Sequence, residues 1–154
     1  MTSTKNVETV ERFIPAPPAA IFDLLADPSR HRDIDGSGTV GERTAGSERM
    51  ALGSRFRVNM KFVVAYSMES TIIEFVTDRR IAWQSRSPNK VISSFGGGRI
   101  WRYELEPVDG GTLVRESWDI SQERGARVLV RRLRKSTREA MIKTLARIEE
   151  IVTA

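Results

Sequence analysis

Between Thr39 and Ile120 apolar residues recur at every second position in short runs, and from Arg124 onward they recur at every third and fourth. The first period belongs to half-buried strands and the second to an amphipathic helix, so the chain must combine a sheet with a long helix. Strands are expected at about 39–44, 54–61, 66–76, 80–86, 99–106 and 112–120, each rich in β-branched or aromatic residues. Before them, the alternating run from Val7 to Ile14 reads as one more strand, ended by Pro15, Pro17 and Pro18. Pro18 opens a short helix that runs to Asp27, where Pro28 stops it. Ser29 to Ile34 adds a helical turn before Asp35, Gly36, Ser37 and Gly38 break the chain.

The C-terminal segment is expected to form one continuous helix from Arg124. Its apolar stripe carries Ala126, Val130, Leu133, Thr137, Ala140, Met141, Thr144, Ile148 and Ile151. The middle of that stripe is small, at Thr137, Ala140 and Thr144. A helix of this kind laid over a concave sheet leaves space beneath it.

The turn at Pro107 to Gly111 makes the last two strands a hairpin and lets faces be assigned by counting. If Pro107 pairs with Thr112, then Leu105 faces Val114, Tyr103 faces Glu116 and Trp101 faces Trp118. These six share the concave side, while Arg102, Glu104, Glu106, Arg115 and Ser117 face solvent. Glu116 is the exception, a carboxylate among aromatic and apolar neighbours. On an apolar face it loses hydration and its pKa rises, so it can serve as acid, base or hydrogen-bond partner. Tyr103 is the group that can be placed beside it, and Tyr66 is a further donor candidate. The expected pocket wall is Phe56, Met60, Trp83, Trp101, Tyr103, Glu116, Trp118 and Met141, around a cavity of roughly 300–1,000 Å³. The alternative for the aromatics is ordinary core, the stronger reading for Trp83.

Residues that are missing narrow the chemistry. The chain has no cysteine and one histidine, which removes disulfides, thiolate nucleophiles and zinc-thiolate sites. His31, between Arg30 and Arg32, is expected at the surface or in a cap. His31 with Asp33 and Asp35 falls short of the three or four convergent ligands of a transition-metal site. No metal or cofactor is therefore expected. Gly96, Gly97 and Gly98 precede Arg99 and a strand, without the lysine, hydroxyl or helix of a phosphate loop. The loop Asn89 to Ser94 before them could shape a pocket mouth.

The net charge of +5 is concentrated at Arg124, Arg127, Arg131, Arg132, Arg134, Lys135 and Arg138. A solvated helix face is one reading, and weak contact with an anionic surface another. Specific nucleic-acid binding has no motif to support it. The polar run Met1 to Asn6 does not resemble a signal peptide or anchor, and no segment reaches the roughly 20 apolar residues of a membrane helix. The expectation is a cytoplasmic protein with a flexible stretch at residues 1–6 and a single domain over 7–154.

The element order is that of the helix-grip fold. The chain resembles the START-like (SRPBCC) superfamily, in its polyketide cyclase/dehydrase and lipid transport branch. The matching stretches are Ile14 to Asp27, Asp35 to Gly38, Gly53 to Phe56, Val76 to Trp83 and Trp101 to Thr112. The resemblance implies an α+β fold: a curved antiparallel sheet of about seven strands around a long C-terminal helix, with two short helices after the first strand. It also implies a pocket between sheet and helix. A small hydrophobic or amphipathic ligand, whether lipid, polyketide or aromatic metabolite, held without covalent change is the leading expectation. A cyclase or dehydratase using Glu116 and Tyr103 is the alternative, since enolate chemistry needs a proton-transfer group and a stabilising donor.

Overall fold

A computed structural model of the chain describes residues 5–37, 40–46, 50–61, 65–87, 98–123 and 127–154; the side chains of 40–46, 58–61, 65–67 and 129 lie outside the description. Strand β1 (Val7–Ile14) leads into helix α1 (Pro18–Leu25), a 3-10 turn (Pro28–Arg30) and the single-turn helix α2 (His31–Ile34). Six strands follow: β2 (Val40–Gly46), β3 (Arg55–Lys61), β4 (Ala65–Val76), β5 (Arg80–Arg86), β6 (Arg99–Val108) and β7 (Gly111–Asp119). Helices α3 (Arg127–Arg131) and α4 (Arg134–Val152) complete the order. All strands join one curved antiparallel sheet in the order β1-β7-β6-β5-β4-β3-β2. The architecture is the helix-grip fold. Among the described residues no helix is long and apolar enough to cross a membrane.

The hairpin register is the expected one. Trp101 pairs with Trp118, Tyr103 with Glu116, Leu105 with Val114 and Pro107 with Thr112. The turn is tighter than expected, because both strands extend until Val108 meets Gly111 and only Asp109 and Gly110 remain between them. Gly110 has φ 82°, a left-handed value that glycine adopts without steric cost. Tyr103, Leu105, Val114, Glu116 and Trp118 are buried, while Glu106 is exposed and Arg102, Glu104 and Arg115 are half-buried. On the outer face Arg102 pairs with Glu74, Arg80 with Glu74 and Glu104, and Arg115 with Glu11 and Glu106. Ser117 corrects the face assignment in one respect, being buried rather than solvent-facing. It lies between Thr9 and Arg102 in the ladders, and its hydroxyl is 3.0 Å from that of Thr9.

The C-terminal helix is not continuous, contrary to expectation. Leu133 N–H donates to Val130 C=O, an i to i+3 bond, and this tighter turn separates α3 from α4. The stripe rotates there. Leu133, expected inside, is 39% exposed, while Leu145, absent from the expected stripe, is buried with Met141, Thr144 and Ile148. Ala126 and Arg124 lie outside the described residues, as do Asn89 to Ser94, Gly96 and Gly97.

Much of the basic face is held within the chain. Arg131 donates to Asn6 Oδ1 at 2.8 Å, and Arg134 and Arg138 both pair with the buried carboxylate of Glu8. Arg134 also donates to the carbonyls of Lys5 and Val7, and Arg138 to that of Thr9. Asn6 C=O accepts from Ile120 on the β7 side. By strand alternation, the odd-numbered carbonyls of this stretch point off the free edge of β1. The arginines therefore cover an edge that would otherwise be open to another strand.

At its middle, α4 rests on Gly36. A Cβ there would stand 2.1 Å from the Ala140 carbonyl oxygen and 2.7 Å from Lys143 Cβ, and Gly36 N–H donates to Thr144 Oγ1 at 2.9 Å. Gly36→Ala must push α4 off the sheet and is expected to lower stability by about 1–3 kcal/mol. Thr144→Val, which removes only the hydrogen bond, should lower it by about 1 kcal/mol. Urea denaturation of the two variants checks both values.

Candidate functional site

The space between α4 and the sheet is a cavity of about 190 Å³. This is below the roughly 300–1,000 Å³ typical of drug-sized sites and expected here. Aromatic packing accounts for the difference. His31 stacks on Trp83 with ring centroids 4.7 Å apart, Trp83 stacks on Tyr103 at 5.6 Å, and Phe56 meets His31 edge-on at 5.4 Å. These rings fill part of the concavity as one continuous aromatic stack.

Phe56, Trp83, Trp101, Tyr103, Glu116 and Met141 all line this cavity. They come from four strands and α4, brought to one face by strand alternation and the hairpin register. Trp118 is a correction. It is buried and tilted against Trp101 at 6.4 Å, but it does not line the cavity. Its strand lies next to β1, the strand along which α4 is clamped, so little room is left above it. The side chains of Met60 and Tyr66 lie outside the described residues.

His31 is the second correction. It is 7% exposed rather than at the surface, and its Nε2–H donates to the Leu25 carbonyl 2.9 Å away. Burial lowers its pKa from 6.5, opposed by that hydrogen bond and by the charge of Asp27, so the ring is neutral. Its charged neighbours Arg30 and Arg32 conceal this in the sequence. The single turn of α2 points His31 and Ile34 inward while Arg30 and Arg32 stay outside.

Sequence reasoning also missed Met68, Ser70, Ser85 and Arg99 as lining residues. The signal for Arg99 was present, because it shares parity with Trp101 and Tyr103 on β6. Ser70 and Ser85 hydrogen-bond to each other at 2.7 Å. Among the described residues no three His, Asp or Glu side chains converge in a way that would hold a metal.

The polar centre of the cavity is Tyr103 with Glu116. The Tyr103 hydroxyl donates to Glu116 Oε1 at 2.8 Å, and Oε2, fully buried, has no hydrogen-bond partner in the described protein. Burial raises the Glu116 pKa to about 8, with the hydrogen bond from Tyr103 working against it and the charge of Asp35 adding to it. Burial likewise raises Tyr103 well above 10, helped by the charge of Glu116. Both groups are therefore neutral at pH 7. Since Oε1 accepts from Tyr103, the proton of Glu116 resides on Oε2, where it can be donated as a hydrogen bond or transferred as an acid.

A family model described as polyketide cyclase / dehydrase and lipid transport matches residues 7–151. The chain belongs to that family. A curated relative, the uncharacterized protein Rv0088 of Mycobacterium tuberculosis (strain ATCC 25618 / H37Rv), is 32% identical over 108 residues. That match covers 69% of this chain and 44% of the relative, so it spans under half the relative's length. Protein CV1439 from Chromobacterium violaceum superposes with a TM-score of 0.73 at 15% identity, over 98% of this chain and 99% of that one. The di-domain ARO/CYC StfQ from the steffimycin biosynthetic pathway gives 0.74 at 11% identity, over 96% of this chain and 50% of that one. At such identities the two structures share the fold of this polyketide cyclase/dehydrase and lipid transport family member.

In this family member the buried acid makes stability pH-dependent. Glu116 holds its proton up to about pH 8 when folded, against 4.5 for the ordinary value, so between these limits unfolding releases a proton. Stability should therefore fall as pH rises from about 5 to 8, by up to about 1.4 kcal/mol per unit, and level off above. His31 has a lowered pKa and acts in the opposite sense, removing stability as pH falls below 6.5. The difference between the wild type and Glu116→Gln isolates the first effect. Urea denaturation across pH 5–9 should show the variant gaining on the wild type up to about pH 8.

Proposed function

We propose that the chain binds a compact, ring-containing, largely apolar molecule carrying a carbonyl or similar acceptor oxygen, in the cavity between α4 and the sheet. The observation that carries this reading is Glu116 Oε2, buried in an aromatic cavity with a proton to donate and no acceptor for it among the described residues. A buried donor without a partner costs about 1–3 kcal/mol, which a ligand oxygen would recover. The aromatic stack of His31, Trp83 and Tyr103 that lines the cavity suits a ring-containing body, because aromatic side chains bury large area with few rotamers. The volume of about 190 Å³ favours a ligand of one to three rings over a long acyl chain. Membership in a family of cyclases, dehydrases and lipid carriers supports the same class of ligand.

A second reading rests on the same proton. A carboxyl titrating near pH 8 is suited to proton transfer beside a carbonyl, with the Tyr103 hydroxyl holding its other oxygen, as in cyclisation or dehydration of a poly-β-ketone. Glu116→Gln separates the two. A glutamine still donates a hydrogen bond but cannot transfer a proton, so a binder keeps its function and a cyclase or dehydratase loses turnover.

Ring ketones of one to three rings, titrated against the protein by tryptophan fluorescence and calorimetry, are expected to bind with constant affinity up to about pH 7.5. Above about pH 8 the wild type should lose affinity by up to about tenfold per pH unit as Glu116 ionises. Glu116→Gln should be flat over the same range. Failure of every ring ketone to bind, with long-chain fatty acids binding instead, would remove the reading.

A further inference from the structure

The cavity floor carries a charge that its apolar wall does not account for. Arg99, Trp101 and Tyr103 alternate on β6, and all three line the cavity. Arg99 is the only lysine or arginine among the described lining residues, and His31 beside Trp83 is neutral. Among the described residues its guanidinium pairs with one carboxylate, Glu123 Oε1, 3.4 Å from Nε but without the geometry of a hydrogen bond, so the buried Nε has no hydrogen-bond acceptor there. An arginine offers five donors in a fixed fork, so this leaves most of its capacity for planar oxygen pairs unused.

We infer that the ligand is a monocarboxylate, its carboxylate held by Arg99 at one end of the cavity and its acceptor oxygen by Glu116 at the other. The inference rests on the binding reading above and adds the anionic end of the ligand. Tyr103 lies four strand steps from Arg99, about 13 Å between their Cα atoms at the usual strand rise. Trp101 lies between, supplying a face for a flat body. The carboxylate belongs at Arg99, because at the other end Glu116 and Tyr103 lie in the field of Asp35, which disfavours added negative charge. A doubly charged phosphate fits less well, since Asp35 lines the same cavity and Glu123 already stands beside the single arginine. Acceptor, ring and carboxylate in one line describe an aromatic keto acid of one to three rings.

The test pairs acids with their neutral analogues. The probes are 4-acetylbenzoic acid, 6-acetyl-2-naphthoic acid and 4'-acetylbiphenyl-4-carboxylic acid, each against its methyl ester, titrated by calorimetry at pH 6.5. At least one acid is expected to bind about tenfold or more tighter than its ester, the range of a charge-assisted pair. Arg99→Gln should erase that preference while leaving ester affinity within about twofold. Glu123→Gln, which frees Arg99 of its competitor, should strengthen acid binding and leave the ester unchanged. Arg99 is 35% exposed on its side chain, so its variant should fold, and an unchanged Tm verifies this. Equal binding of acid and ester, or an acid preference that survives Arg99→Gln, overturns the Arg99 assignment and leaves the binding reading intact. Binding of neither acid nor ester for any pair overturns both.

Discussion

Two arginines on α4 meeting one carboxylate on β1 set the geometry of the whole molecule. Glu8 is buried, where a carboxylate is costly unless paired, and Arg134 and Arg138 both pair with it. Because their stems rise from successive turns of α4, the pair fixes both the position and the rotation of the helix along the first strand. Arg12 with Glu149 repeats the contact near the far end, and Gly36 limits how closely the middle approaches. With the helix held at these points, the small side chains Ala140 and Thr144 face the sheet across a gap rather than in contact. The cavity is the result.

Its interior joins two opposed kinds of surface. Stacked rings of His31, Trp83 and Tyr103 exclude water, and that exclusion keeps Glu116 protonated. Removing the wall would lower the acid's pKa toward the ordinary value, and removing the acid would take away the proton donor beside Tyr103. The hydrogen bond from Tyr103 adds direction, since it occupies one carboxyl oxygen and leaves the other, buried, without a partner among the described residues. Arg99, two strand positions beyond Trp101, is the one lysine or arginine among the described lining residues.

The parts of this arrangement governed by local rules are legible in the sequence. The register of β6 and β7 follows from the Asp109–Gly110 turn and strict alternation, and it carries Glu116 beside Tyr103 without any tertiary information. The small middle of α4 is likewise visible as Ala140 and Thr144. What was not legible depends on residues distant in the chain. The break at Arg132 and Leu133 accompanies the pairing of Arg131 with Asn6 and of Arg134 with Glu8. Charged flanks and a single-turn helix hide the burial of His31, because so short an element has no period to read. Gly36 reads as a chain breaker, yet its role is to admit the backbone of a helix more than a hundred residues away.

The sheath of arginines over the free edge of β1 bears on the order in which the chain can assemble. One side of β1 pairs with β7 and the other is closed by α4, and both lie more than a hundred residues downstream. A ribosome releases β1 well before either neighbour exists, so the strand emerges with both edges bare and Val10 and Ile14, buried in the fold, uncovered. Hairpins in the middle of the sheet can close as they appear, but the edge of β1 cannot be covered until α4 leaves the tunnel. The interval between the release of β1 and the release of α4 is therefore when this protein most needs protection from its neighbours.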